Sequence, residues 1–402
     1  MELRPILSAM LRNKTGATLV ALQVALTLAV VANALFIIMQ RVEKIGREPG
    51  IDSANLFFVQ SYGYGPTYDQ REAVRSDLDL IRSLPGVLDA SPTSGIPLSG
   101  GGSSESIGKA PGRENVTVAA NYYAMDEHGV NALGVVLAEG RAFNEQEVQY
   151  NPDRNNVKFG PVVIITRDLA RAVFGDEPAL GRTVYDGNGE AAVVVGIMER
   201  MLGAWVDWDE LGQVMLVPRI MAGPISRYIV RTEPGQRDAL MAEVERKLTE
   251  SGTSRAVTWV RAHSFFTESS YRADSRMVAF LLVIVGLMIS VTALGIVGLA
   301  TFNVNIRRKQ IGTRRAVRAR RRDIIRYFML ENWLLTTGGV ILGTLLAFGF
   351  GHWLSTAYSL PRLQPVYVVG GIAALWILGQ LAVIVPARRA AAIPPAIATR
   401  TV

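Results

Sequence analysis

Three carboxylates, Asp207, Asp209 and Glu210, crowd together beside Trp205 and Trp208. Carboxylates so closely spaced can hold a cation or move protons. The stretch lacks the central glycine of a calcium loop, so its residues favour a solvated acidic turn. Other chemistry-bearing residues are sparse. The 402-residue chain has three histidines, His128, His263 and His352, scattered along it, and no cysteine. A His/Cys metal site therefore has no ligand set, a Ser-His-Asp triad has little to draw on, and neither disulfides nor thiolate chemistry are possible. No G-x-x-x-x-G-K-[ST] occurs, so no phosphate-cradling loop is expected. SGGGSSES lacks a strand-to-helix frame, and GTLLAFGFG lies in an apolar run. No active site, bound cofactor or metal is expected.

Charge is more informative. Arg307–Asp323, RRKQIGTRRAVRARRRD, holds nine Lys/Arg and one acid, a net +8 against +7 for the whole chain. Such a block can bind nucleic acid, anionic lipid or a protein surface. No aromatic residue interleaves its charges to stack bases, and apolar spans tether it at both ends, so nucleic acid is excluded as a partner.

Four stretches free of Asp, Glu, Lys and Arg exceed the roughly 20 residues needed to cross a bilayer. They predict spans at 17–40, 277–303, 328–352 and 365–386. Cations cluster before the first span, between the second and third, and after the fourth. The 236-residue segment Arg41–Arg276 instead holds 25 cations and 32 acids. By the bias of cations toward the cytoplasm, both termini (1–16 and 387–402) and the basic loop 304–327 are expected inside. Segment 41–276 and the short loop 353–364 are expected outside. Arg4, Arg12 and Lys14 followed by an apolar stretch and Ala32-Asn33-Ala34 also suit a cleavable signal peptide. The stretch runs to Met39, longer than the ~7–15 apolar residues of such signals, which favours a retained anchor.

Within the outer segment, Asn55–Gln60 reads as a strand and Tyr62–Thr67 as a turn. Asp69–Leu84 carries Val74, Leu78, Ile81 and Leu84 at helical spacing. The order recurs in Arg227–Thr232, a helix over Asp238–Glu250 with Leu240, Val244 and Leu248, and Ala256–Val260. Two β-α-β units, about 52–94 and 225–262, predict one ferredoxin-like sheet with helices on one face. The intervening 95–224 opens with SGGGSSES, expected as a flexible loop, and continues through NVTVAA, PVVIIT, AAVVVGIM and QVMLVP as a β-rich insertion. RDLARAVFG is a short helix ended by Gly175. Asn115-Val116-Thr117 fits a glycosylation sequon, a pattern common by chance. The fold class is thus an α-helical membrane protein, one plus three spans, with a large α+β extracytoplasmic domain.

In the spans, Gln23, Asn33, Asn303, Asn305 and Gln380 suit hydrogen bonding between helices better than a solute pathway. Ala21, Ala25 and Ala29, and Gly339 with Gly343, repeat every four residues. Such faces let helix backbones approach closely, within one chain or between two.

The segment IRRKQIGTRRAVRARRRDIIRYFMLENWLL resembles the cytoplasmic loop of MacB/FtsX-type ABC transporter permeases. NYYAMDEHGVNALGVVLAEGRAFNEQEV and VVIITRDLARAVFGDEPALGRTVYDGNGEAAVVVGIM are similar to that family's outer-domain blocks, and PARRAAAIPPAIATR resembles its ending. The resemblance covers essentially the whole chain. It implies a permease without its own nucleotide site, acting as a dimer (homo- or heterodimer) on a cytoplasmic ABC ATPase that binds the ATP. It also implies a coupling helix in the basic loop, with Ile311, Gly312, Arg314, Arg315 and Ala316 on the motif as contact residues. Gln310 and Arg318 depart from the pattern, where an acid and a glycine are usual. The missing glycine bears on how the helix ends. The resemblance further implies a bacterial inner-membrane export subunit whose periplasmic domain moves with ATP turnover, partnered by an adaptor and an outer-membrane channel. The cargo would be of antibiotic, peptide or lipid type. A cell-wall-hydrolase regulator of FtsX type and a membrane sensor are the alternatives. The basic loop alone also suits contact with lipid headgroups.

Overall fold

The computed structural model describes residues 14–66, 68–151, 160–221, 223–251, 254–317, 320–358 and 361–394. In chain order the principal elements are α1 (Lys14–Ile45), β1 (Leu56–Gly63), α2 (Gln70–Arg82), β2 (Val87–Pro92), β3 (Ser103–Gly108), β4 (Val118–Met125), α3 (Gly129–Leu133), β5 (Leu137–Gly140), β6 (Gln149–Asn151), β7 (Val162–Thr166) and α4 (Arg167–Phe174). Then follow β8 (Thr183–Asp186), β9 (Ala191–Met198), β10 (Val214–Met221), β11 (Ile225–Thr232), α5 (Arg237–Glu250), β12 (Arg255–Ala262), α6 (His263–Ser270), α7 (Arg272–Ile306), α8 (Arg308–Ala316), α9 (Arg321–Tyr358) and α10 (Pro365–Ala391). The chain divides into two compact units, Arg47–Arg272 and the remainder.

In Arg47–Arg272, β1-α2-β2 and β11-α5-β12 share one sheet of order β12-β1-β11-β2, every pair antiparallel. This is the ferredoxin-like split β-α-β arrangement. α2 starts where the Asp69 carboxylate accepts from the Arg71 and Glu72 amides and presents Val74, Leu78 and Ile81 to the sheet. α5 adds Leu240, Val244 and Leu248 to the same core. Phe57 and Val59 of β1 join that helix-side cluster, whereas Leu56 and Phe58 join a second cluster with Tyr123, Met125 and Leu216 of the insertion. Burial on both faces explains why β1 reads LFFV with no polar alternation. Each such side chain contributes about 1.5–3 kcal/mol of transfer free energy.

The insertion closes on itself. Strands run β4-β3-β8-β9-β7-β10, and β10 returns to pair in parallel with β4, so six strands make a ring without a free edge. β5 and β6 attach outside it, on β9 and β10. Ile107, Val163, Ile165, Val194 and Met215 belong to the core that Leu169, Val173 and Phe174 of α4 complete. The sequence expectation of a flexible loop through SGGGSSES is corrected in part: Ser103–Gly108 is β3, paired with both β4 and β8. Its small polar residues suit a strand whose first half faces water and whose last two residues are buried.

Among the described residues of the other unit, four helices, α1, α7, α9 and α10, are long and apolar enough to cross a membrane. They overrun the apolar segments that announce them. α9 has 38 residues, so at ~1.5 Å per residue it is ~57 Å long, well beyond a ~30 Å hydrocarbon layer. The expected loop 304–327 therefore contains the end of α7, all of α8 and the start of α9.

Candidate functional site

The basic segment is built as a short anchored helix. α8 follows α7 after one residue, Arg307, whose carbonyl accepts from the Ile311 amide at 2.9 Å. The Arg307 guanidinium turns back to donate to Glu331 Oε2 at 2.9 Å and to the Tyr327 hydroxyl at 3.3 Å, both on α9. Ile311 is only 6% exposed and belongs to the cluster of Val304, Ile324, Phe328, Ala387 and Ile393. Gly312 is also buried. Arg315 donates through Nη1 to the Ile393 carbonyl, tying α8 to the residues that follow α10.

These contacts divide the five expected contact residues. Ile311, Gly312 and Arg315 are engaged by their own chain, so Ile311 does not project toward an outside pocket. Arg314 and Ala316 are exposed. The Arg314 guanidinium lies 5.3 Å from the centre of the Tyr327 ring, which holds it at the surface without burying its charge. Arg308, Lys309, Gln310 and Thr313 are exposed too, and Val317 is 78% exposed. Arg308 and Lys309 stand in the first turn, against the helix dipole, a placement that costs about 0.3–1 kcal/mol at an exposed helix end. The sequence accepts that cost and keeps a bare cationic face. α8 ends at Val317 with φ −90°, not left-handed; Arg318 lies outside the described residues. The Arg307–Glu331 anchor escaped the sequence reading, although a single acid near the start of an apolar span was its signal.

The small-residue repeats meet each other inside one chain. A Cβ on Gly339 would stand 2.7 Å from the Ala21 carbonyl oxygen, and one on Gly343 would stand 2.8 Å from that of Ala25. The series continues: Ala29 and Ala347 share a core cluster, and Asn33 Nδ2 donates to the carbonyls of Ala29 and Ala347 at 2.9 and 3.1 Å. Close backbone approach thus joins α1 to α9. Thr27 and Thr292 hydroxyls bond at 2.7 Å between α1 and α7, and Gln380 Nε2 reaches the Met329 carbonyl at 3.4 Å. At one end of the same unit, Arg41 and Lys44 of α1 bind the two oxygens of Asp274 on α7 at 2.6 and 2.8 Å.

The remaining sequence candidates are dispersed in the large domain, apart from His352 on α9. Trp205 and Trp208 meet edge to face at 5.3 Å beside the acidic residues. No group of three or more His, Asp or Glu among the described residues could hold a metal ion. His128 Nδ1 lies 2.9 Å from Asp89. His263 is fully buried between Ser53 and the Pro97 carbonyl. Asn115 ends an exposed turn, its side-chain amide donating to the Pro111 carbonyl.

Residues 19–247 match the family described as the MacB-like periplasmic core domain, and residues 282–395 match the FtsX-like permease C-terminal family. The chain is 26% identical over 302 residues to the macrolide export ATP-binding/permease protein MacB of Chromobacterium violaceum, covering 70% of this chain and 43% of that protein. It is 24% identical over 360 residues to MacB 1/2 of Paracoccus denitrificans, covering 86% and 50%. A third relative is the probable syringafactin export protein SyfD of Pseudomonas syringae pv. syringae, at 24% identity over 70% of this chain and 43% of SyfD. The chain thus spans about half the length of the curated relatives it matches. The crystal structure of the periplasmic region of MacB from Actinobacillus actinomycetemcomitans aligns at 17% identity and TM-score 0.34, covering 56% of this chain and 97% of that one. With residues 19–247 and 282–395 matched to these two families and four described helices long and apolar enough to cross a membrane, the chain belongs to the MacB/FtsX-type family of ABC transporter permeases, membrane proteins with a periplasmic core domain.

Proposed function

We propose that this chain is the transmembrane part of an ABC exporter. An ATP-binding component docks on α8 from the cytoplasm, and its nucleotide turnover moves the periplasmic domain to drive efflux. The chain itself supplies no catalysis; it transmits force. Both termini and α8 face the cytoplasm by the distribution of cations. A second permease chain completes the assembly, and a periplasmic adaptor and outer-membrane channel carry the cargo onward. Relatives named for macrolide and syringafactin export favour antibiotic-, peptide- or lipid-type cargo.

One observation carries the docking assignment. α8 is fixed from within by Ile311, Arg315 and the Arg307–Glu331 pair while its Arg308, Lys309 and Arg314 cations are exposed at the surface. A helix held on one side and exposed on the other passes displacement into α7 and α9 without first bending. Acidic residues on the docking partner would pair with the guanidinium forks.

The test is R308E/R314E in the full chain, co-expressed with candidate ATPases. Arg314 loses only its surface contact with the Tyr327 ring, worth about 1 kcal/mol or less, so the unfolding temperature should stay within ~4 °C of the parent. Co-purification and stimulated ATP hydrolysis should fall at least roughly tenfold, the equivalent of about 1.4 kcal/mol. Undiminished assembly would remove α8 as the docking element.

A further inference from the structure

A cavity of about 280 Å³ lies between the two halves of the large domain. The ferredoxin-like sheet supplies Thr93, Ser94 and Ser226 to one wall, and the six-stranded ring supplies Ser103, Tyr122 and Arg219 to the other. Val74 of α2 and Ile220 of β10 add an apolar patch. Arg219 sits where β10 has left β4 and pairs with β6, Arg219 facing Gln149 across the ladder.

The guanidinium is the unusual feature. Arg219 is 2% exposed, and its Nε and Nη1 have no hydrogen-bond partner among the described residues. Nε carries one hydrogen and Nη1 two, all without an acceptor. Arg227 on the same cavity wall donates to Gln60 Oε1 and to the Ser94 carbonyl. Arg255, equally buried in this domain, spends its donors on Asp77, Leu248 and Ser251. A cation removed from water and left without acceptors costs more than a neutral residue of the same shape. Burial pushes the Arg219 pKa down, and the opposing influences are the Glu190 carboxylate and Tyr122. Neither nitrogen has surface open to water as the side chain stands, so the cost is recovered where a turn of the guanidinium brings them to an acceptor of opposite charge in the cavity that Arg219 lines.

The space limits what that acceptor can be. The cavity falls below the ~300–1,000 Å³ of pockets for drug-sized ligands, so a bulky cargo molecule does not fit. The Ser94, Ser103 and Ser226 hydroxyls line the same cavity as Arg219, and Val74 with Ile220 asks for a short hydrocarbon. We propose that this cavity is a binding site for a small organic oxyanion, a carboxylate or a phosphate monoester with a short apolar tail, held by Arg219 between the two halves of the domain. Such a ligand touches both halves at once and so stiffens the domain. This reading is independent of docking at α8.

The full chain in detergent is titrated calorimetrically with butyrate and with butyl phosphate, butyramide serving as the neutral match, and the unfolding temperature is recorded with each. At least one anion should bind saturably and raise the unfolding temperature while butyramide does neither; the tighter anion identifies the headgroup. R219M should weaken anion binding at least roughly tenfold, the loss expected for a charge-assisted pair. It should also raise the unfolding temperature of the ligand-free protein, because an unpaired buried charge has gone. R219K should keep a weakened response. If R219M fails to fold, the wild-type contrast of anion with amide and the R219K response still decide. Equal responses to butyrate and butyramide, no response to either anion, or anion binding unchanged in R219M would overturn the proposal.

Discussion

In the transmembrane unit, Asn33 gives its amide hydrogens to backbone carbonyls of α1 and α9, and Thr301, Thr336 and Thr344 each bond back to a carbonyl four residues earlier. Charges there pair toward helix ends: Arg41 and Lys44 on Asp274, Arg307 on Glu331. In the large domain several buried charged groups join separate elements. Asp77 of α2 receives Arg255 of β12 and the Tyr228 hydroxyl of β11, and Arg82 reaches Asp126 at 2.7 Å. Small residues set the fit of α1 on α9, whereas in the domain ionic pairs add directional links to its apolar cores. Bulk should therefore break the first, and charge removal the second.

The largest effect is expected from G343L. Its Cβ alone would stand 2.8–2.9 Å from the Ala25 backbone, so α1 and α9 must separate by more than side chains can absorb. Overpacking of a rigid contact costs typically 1–3 kcal/mol and more where backbone must move, enough here to abolish monodisperse protein on size-exclusion chromatography. G286L on α7 is the control: nothing lies within 4 Å of its Cβ, and stability should change by no more than about 0.5 kcal/mol. If both variants behave alike, the seam is not what holds the bundle.

R255M comes next. It leaves Asp77, 1% exposed, without its cation, and removal of one partner from a buried pair costs about 3–5 kcal/mol. The double variant D77L/R255M should regain a good part of that loss, because an apolar pair of similar volume removes both desolvation costs. Denaturant unfolding of the three proteins measures it. A double variant no better than R255M would show that the Arg255 bonds to Leu248 and Ser251, which close the end of α5, matter more than the ion pair.

The same contrast marks what the sequence revealed. The β-α-β units were legible because Val74, Leu78 and Ile81, and Leu240, Val244 and Leu248, carry helical spacing between strand-like runs. Closure of the ring was not, since β4 and β10 pair across about ninety residues and no local pattern encodes a parallel partner at that distance. The Ala and Gly stripes announced close helix contacts, but spacing alone left open whether they meet within one chain or between two. On α8 the motif gave the helix and not its orientation: which of Ile311 and Arg314 faces outward depends on the placement of α9 and α10. Arg219 reads in sequence as a cation at a strand's end, and only the folded domain shows it buried.

The smallest effect is a pH dependence within the large domain. His263 Nε2 faces the Pro97 carbonyl at 2.9 Å, and a carbonyl only accepts, so Nε2 carries the hydrogen and Nδ1 accepts from the Ser53 hydroxyl at 2.6 Å. That is the neutral ring, and burial lowers its pKa from the ordinary 6.5. A lowered pKa means that the unfolded chain takes up the proton first. The contribution of His263 is then complete above about pH 6.5 and is lost as pH falls toward the folded-state value, at no more than about 1.4 kcal/mol per unit. Asp77, Asp126 and Glu105 are raised by burial and act with the opposite sign, adding stability as pH falls toward their ordinary values of 3.8, 3.8 and 4.5. The difference between the parent and H263Q, followed by urea unfolding from about pH 7.5 to 5.5, cancels those carboxylates and isolates the imidazole. The parent should lose stability over that range relative to H263Q; parallel curves would mean that His263 takes up its proton without disturbing the Ser53 and Pro97 contacts.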